Sequence, residues 1–209
     1  MIEDKLFAEL NWFFADLPKN SPINNKIRLI IRQLNLEIIS LDSVNNSYLT
    51  RLIKECELFL PELFQDRWTK KWEYPVSLKL DEVSWVKTEV DFAIDEKDEK
   101  NEVRVIDWSG KANNPYAIFQ AYLLLQQLSL RVEDVSVVSL INNDLGSNLN
   151  IKFVRQYLST NDLVICEQDL SDRFAAWTLG NEAKENQPDP KIALSATLAE
   201  IDSFPEVSI

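Results

Sequence analysis

Three acidic residues in stretches that alternate polar and apolar side chains are the part of this sequence that could do chemistry. They are Glu73, Asp91 and Asp107, and the last two lie between apolar residues in the runs VDF and IDW. An acid in such a position either faces solvent on the polar side of its strand or is held in a cleft. Paired strands bring cross-strand side chains within about 5 Å, and two carboxylates that close need a cation or a shared proton.

The chain contains no histidine, so any metal held by these acids would have oxygen ligands. Oxygen donors suit Mg²⁺ or Mn²⁺ rather than Zn²⁺. The missing histidine also excludes Ser–His and Cys–His pairs and every His-based metal site. The two cysteines cannot make a four-ligand zinc or iron–sulfur site alone. The chain has only three glycines, and they are too far apart to form a dinucleotide-binding or P-loop motif.

Length and charge limit the class of protein further. The 209 residues predict one domain, with or without a tail. The net charge of −12 disfavours tight non-specific binding of nucleic acid. A basic stretch with tryptophans, from Arg67 to Trp72, could still contact a nucleic-acid strand, or its tryptophans could pack under the β-sheet. No apolar stretch approaches about 18 residues and no signal-peptide pattern is present, so we expect no membrane span and a cytoplasmic location.

The elements that must position the acids follow from periodicity. Helices are predicted at Leu6 to Phe14, from Ser21-Pro22 to Ile38 with an apolar stripe, from Ser47 towards Phe64 with Phe59 inward, from Pro115 to about Leu130, and at Asp169 to Leu179. Strands are predicted at residues 73–82, 84–94, 102–108, 135–141 and 149–154, the first three forming a meander.

This order predicts an α/β fold with a mixed β-sheet flanked by helices. We expect a single α/β domain over residues 1–180, with an N-terminal helical part at 1–65. Residues 181–209 are expected to form a polar linker and a C-terminal tail, with an amphipathic segment at Ile192 to Phe204.

The run TEVDFAI, a charged hairpin tip, VRVIDWSGK, a helix with FQAYLLLQQL and the strand VEDVSVVSLI together resemble the PD-(D/E)xK nuclease superfamily, in particular its RecB-like nuclease domains. The resemblance covers about residues 73–141. It implies a restriction-endonuclease-like sandwich and a metal-dependent phosphodiester hydrolysis with Mg²⁺ or Mn²⁺ as cofactor.

The same resemblance implies roles for individual residues. Asp91 would be the first metal-binding aspartate and Asp107 the second, with Glu73 as the upstream glutamate. Less favoured sources of that glutamate are Glu55 and Glu62.

The helix that carries the family's glutamine signature would contribute Gln120 and Tyr122. These two residues are two apart rather than the usual four, and Thr88 stands near the first aspartate where the family has glycine.

The sequence departs from the family at the lysine that supports the transition state. Ser109 stands two residues after Asp107, and Lys111 lies two further on. A serine brings no positive charge to the phosphate, and losing such a group can cost orders of magnitude in rate.

Two functions therefore remain open. One is a divalent-metal-dependent DNA nuclease that uses Asp91, Asp107, Lys111 and Gln120, with Glu73 as a further metal ligand. The other is a catalytically inactive nuclease-like accessory protein that engages a protein partner through its acidic surface or its C-terminal tail.

Overall fold

The computed structural model describes residues 7–9, 21–82, 84–95, 102–145 and 148–185, which form one six-stranded mixed sheet and its helices. The strands are β1 (Phe7–Glu9), β2 (Trp68–Lys79), β3 (Trp85–Asp95), β4 (Glu102–Gly110), β5 (Val135–Leu145) and β6 (Asn148–Tyr157). The α-helices are α1 (Pro22–Asn35), α2 (Ser47–Phe59), α3 (Pro115–Leu128) and α4 (Thr160–Glu185). Short 3₁₀ turns lie at Leu41–Ser43, Pro61–Leu63 and Val132–Asp134. The predicted α/β class with a mixed sheet is confirmed.

Strand β3 organises the sheet because it pairs with three other strands. One of its edges pairs antiparallel with β2, and the other pairs with β1 in parallel at its start and with β4 antiparallel at its end. The β3–β4 ladder runs only from Asp95↔Glu102 to Phe92↔Val105. Beyond β4 the order continues with β5 in parallel and β6 antiparallel.

One face of the sheet packs against α1 and α2. Pro22 at the start of α1 and the Asn46 cap, which accepts a hydrogen bond from the Leu49 N–H at 3.0 Å, set where these helices begin. The buried cluster on this face comprises Ile27, Ile31, Leu52, Cys56, Leu60, Leu63, Ile106, Trp108, Val138, Leu140 and Ile151. Each such aliphatic side chain contributes about 1.5–3 kcal/mol when fully buried.

The opposite face packs against α3, which contacts strands β2 to β5. Asn114 caps this helix by accepting a hydrogen bond from the Tyr116 N–H at 3.2 Å, and Pro115 occupies the first turn. Seven of its residues are buried: Ala117, Phe119, Ala121, Tyr122, Leu123, Leu124 and Leu125. The helix predicted from Pro115 is therefore confirmed, and the sheet carries helices on both faces.

The chain divides into two compact units, Met1–Cys166 and Glu167–Ile209. The first contains the sheet. The described part of the second is the remainder of α4, where Arg173 pairs with Asp169 at 2.9 Å along one helix face. None of the described helices combines the length and apolar character that crossing a bilayer requires.

Helix α4 is longer than predicted at both ends, and it covers residues 181–185, where the linker was expected to begin. The predicted tail segment at 192–204 lies outside the described residues.

The structure corrects three sequence expectations about helices. Phe7–Glu9 is a strand rather than part of a helix, because the edge of β3 offers it parallel backbone hydrogen bonds, and residues 10–20 lie outside the described residues. Ile38 is 65% exposed because α1 ends before it. Phe59, predicted to face inward, is 58% exposed at the end of α2, where its ring stacks on Phe153 with centroids 5.1 Å apart.

Candidate functional site

Asp91 lies on β3 and both of its carboxylate oxygens are engaged. The Arg28 guanidinium of α1 binds it twice, through Nε to Oδ2 and through Nη2 to Oδ1, the latter at 3.0 Å. The Trp108 indole N–H donates to Oδ2 at 3.0 Å, and the Glu73 backbone N–H donates to Oδ1 at 2.7 Å. Asp91 is only 8% exposed, so its charge is balanced by arginine in a largely dry environment.

Glu73 lies beside this pair at an irregularity in β2, where the register shifts between Lys71 and Tyr74. Its φ of 51° is in the left-handed region, which is uncommon for a residue other than glycine. The hydrogen bond to Asp91 holds this turn of the backbone. The Glu73 carboxylate accepts from Arg32 at 2.8 Å and from Arg28 at 3.2 Å.

These contacts shift the protonation equilibria of the cluster. Hydrogen bonds from Arg32 and then from Arg28 lower the pKa of Glu73. The hydrogen bond to Asp91 raises the pKa of Arg28, more than burial lowers it. The structure therefore brings Glu73 and Asp91 together, with an arginine between them.

Asp107 lies on β4, is 4% exposed, and is bound by neutral donors. Ser109 donates its backbone N–H to Oδ1 at 2.9 Å and its hydroxyl to Oδ2 at 3.1 Å. The Ser139 hydroxyl donates to Oδ2 at 2.9 Å, and the Asn114 amide donates to Oδ1 at 3.1 Å. Ser109, two residues after Asp107, is thus a hydrogen-bond donor to the acid and brings no positive charge to it.

Asp91 and Asp107 point to opposite faces of the sheet. Successive side chains of a strand alternate between faces. Trp108 reaches Asp91 on the face of α1, so its neighbour Asp107 points the other way, towards Ser139 and the start of α3. Among the described residues, no group of three or more His, Cys, Asp or Glu side chains is placed to hold a metal ion.

The other two predicted site residues, Lys111 and Gln120, make no hydrogen bond to Asp91 or Asp107 among the described residues. Lys111 is exposed after β4, and its backbone N–H donates to the Ser109 hydroxyl at 3.3 Å. Gln120 of α3 donates its side-chain amide to the Glu89 carbonyl at 2.7 Å, which ties the helix to β3.

The alternative glutamates are also engaged elsewhere. Glu62 is completely buried and binds Arg104 at 2.7 Å and Arg155 at 3.4 Å. Glu55 pairs with Arg51 at 3.8 Å along α2.

The basic stretch with tryptophans uses its indoles for packing. Trp68 is 2% exposed, and the guanidinium carbons of Arg104 and Arg67 lie 4.3 and 5.4 Å from its ring centroid. Trp72 is stacked on Trp108 with centroids 6.5 Å apart. These contacts agree with the interpretation that the tryptophans pack in the fold.

Sequence reasoning missed Arg28, Ser139 and Asn114. Arg28 and Arg32 are one helical turn apart beside the apolar stripe of α1, a spacing that could have indicated an acidic neighbour. Asn114 before Pro115 is a typical helix-cap signal. Nothing in the sequence distinguishes Ser139 from any other polar residue of a buried strand.

Comparisons with known proteins leave the family open. No family model matches the chain, and no curated protein matches it. A solved structure described as "Crystal structure of SSO0001" is 14% identical, covering 80% of this chain and 75% of that chain with a TM-score of 0.34. A likeness this weak supports no inference about fold or function.

Proposed function

We propose that this protein is a catalytically inactive, nuclease-like accessory protein that works through contacts with other proteins. The observation that carries this proposal is the bidentate hold of Arg28 on Asp91. A divalent cation at Asp91 would have to displace that arginine. The displaced guanidinium would keep only its single contact with Glu73, in a site where the Arg28 side chain is only 15% exposed.

The second acid supports the same proposal. Catalysis of phosphodiester hydrolysis needs positive charge near the developing charge on the phosphate. Ser109 supplies none, and its hydroxyl is directed to Asp107. The exposed Lys111 follows the end of β4 and forms no ion pair with Asp91 or Asp107 among the described residues.

The nuclease-like part of the proposal rests on the order of elements. The meander β2–β4, followed by α3 and the buried strand β5, is the order that the resemblance to PD-(D/E)xK nucleases implies. A restriction-endonuclease-like sandwich is therefore the architecture we propose for this sheet. The net charge of −12 favours a basic protein surface over a phosphate backbone as the partner.

One observation favours the second candidate, a Mg²⁺- or Mn²⁺-dependent DNA nuclease. Asp107 is bound by neutral groups, and no described lysine or arginine forms an ion pair with it. The negative charge of Asp107 is therefore not neutralised by an ion pair within the described part of the chain, whereas that of Asp91 is neutralised by Arg28.

Incubation of the full chain with single- and double-stranded DNA in Mn²⁺ and in Mg²⁺ tests the proposal. We expect the wild type to cleave no more DNA than Asp107→Asn does. We also expect no cleavage by Ser109→Lys, because adding one lysine does not bring Asp91 to the face of the sheet that Asp107 occupies. The matched control is Asp134→Asn, which changes a 9% exposed acid paired with Arg131 outside the candidate site.

Cleavage that is present in the wild type and in Asp134→Asn but lost in Asp107→Asn would overturn the proposal in favour of the nuclease. A protein that copurifies with the full chain in fixed ratio, equally with wild type and Asp107→Asn, would support the accessory role.

A further inference from the structure

Strands β2 and β6 each pair with one described strand, and their other edges differ in their hydrogen bonding. On the edge of β2, two backbone groups bond to Gln127 of α3: its amide oxygen accepts from the Ser77 N–H at 2.7 Å, and its nitrogen donates to the Pro75 carbonyl at 3.3 Å. The side chain thus makes the two bonds that a neighbouring strand would make. Pro75 itself carries no N–H to offer.

Strand β6 has no such cover in the part of the chain that the structure describes. It pairs with β5 and with no other described strand. Tyr157 is 57% exposed. Phe153 is half-buried, and its ring stacks on the ring of the exposed Phe59. A long open edge with apolar side chains is a template for pairing with another strand.

The residues of β6 are complementary to themselves. When two copies run antiparallel about a two-fold axis at Val154, the opposed pairs are Ile151 with Tyr157, Phe153 with Arg155, and Lys152 with Gln156. The exposed Tyr157 then lies opposite Ile151, which is 7% exposed, and the lysine faces an amide. Arg155, whose guanidinium pairs with Glu62 of its own copy, lies opposite Phe153. An axis at Lys152 or at Arg155 would instead place two like charges opposite each other.

We propose that β6 is a self-association surface, on which β6 of a second copy pairs antiparallel about Val154 and joins the two sheets. This inference is independent of the proposed function, because it rests on β6 and not on Asp91 or Asp107. Although each copy carries a net charge of −12, residues 151–157 contain no acid, and their two basic residues are Lys152 and Arg155, the latter paired with Glu62.

Sedimentation velocity of the full chain from about 1 μM to about 0.5 mM tests the proposal. We expect reversible conversion from a 24.2 kDa monomer to twice that mass. Gln156→Lys places two lysines opposite each other at two symmetric positions and should weaken the dimer about fivefold or more, whereas Gln156→Glu should strengthen it by a similar factor. The charge-swapped pair Lys152→Glu with Gln156→Lys should restore association.

The register is tested by cross-linking under mild oxidation. Val154→Cys lies opposite its own copy, within reach of a disulfide, and should give a covalent dimer. Lys152→Cys should not, because its partner is Gln156. The two native cysteines are buried and provide the same background in both variants.

A chain that stays monomeric over the whole range would overturn the proposal. So would a dimer that responds equally to Gln156→Lys and Gln156→Glu, or one that cross-links equally through positions 152 and 154.

Discussion

At the scale of single residues, Arg28 binds both Glu73 and Asp91, the two acids on this face that the resemblance implied as metal ligands. It binds both oxygens of Asp91 and one oxygen of Glu73. The guanidinium occupies the side of Asp91 that a cation would approach, and Trp108 and the Glu73 N–H take its remaining lone pairs. One helix residue therefore turns a candidate metal ligand into part of an internal ion pair.

Replacing Arg28 by methionine should lower the free energy of unfolding by about 3–5 kcal/mol, because Asp91 is left buried without its cation. Urea denaturation measures this loss. Arg32→Met is the matched control: it contacts the exposed Glu73 and not Asp91, so its loss should stay below about 1 kcal/mol. The double variant Arg28→Met with Asp91→Leu should recover much of the loss, and strict additivity of the two changes would contradict the coupling.

The ion pairs of Glu73 should make the stability of the protein depend on pH, with stability falling as the pH falls. Its pKa is lowered from the ordinary 4.5 in the folded state, so the stabilisation is present above that pH and is lost as the pH falls through the folded value. The Glu73 side chain is 43% exposed, so the effect should be below about 1 kcal/mol. Below pH 4.5 the wild type should lose stability more steeply than Glu73→Gln, and identical slopes would contradict the ion pairs.

The candidate site could be predicted from the sequence only in part. Alternating patterns placed Asp91 and Asp107 on neighbouring strands, as observed. The cross-strand pair Phe92↔Val105 determines which face of the sheet each acid occupies. It puts Val105 and Asp107 on the face of Phe92 and leaves Asp91 on the opposite face. Register depends on the hairpin turn rather than on composition, so the shared face could not be determined from sequence.

At the scale of elements, periodicity predicted α1 to α3 and β2 to β6 with shifts of a few residues at their ends. It failed for Phe7–Glu9, where three residues join β3 through backbone bonds that leave no mark in the side-chain pattern. Helix α4 begins nine residues before its predicted start, because the prediction did not extend the helical spacing of Leu170 back to Cys166 and Leu163.

The two hydrogen bonds between Gln127 and the edge of β2 give a prediction at this scale. Gln127→Ala leaves the Ser77 N–H and the Pro75 carbonyl to water and should cost about 0.5–1.5 kcal/mol. Amide hydrogen exchange at Ser77 should quicken in the variant. Gln126→Ala, on the same turn of α3, is the control, and unchanged exchange at Ser77 in Gln127→Ala would contradict the assigned role.

At the scale of the whole molecule, the two candidate acids belong to different layers. Asp91 is held between the sheet and α1, and Asp107 lies where β4, β5 and the start of α3 meet. A two-acid metal site needs both on one side. The net charge of −12 and the packing of Trp68 and Trp72 within the fold support our proposal that the protein works through contacts with other proteins.

Titration of Mn²⁺ into the full chain, followed by the electron paramagnetic resonance signal of the free ion, tests the central claim most directly. An acidic protein collects some Mn²⁺ on its surface, so the comparison is among wild type, Asp91→Asn and Asp107→Asn. We predict the same weak binding for all three. A saturable site in the wild type that is lost in both variants would contradict the account, because it would require Asp91 and Asp107 to share one cation.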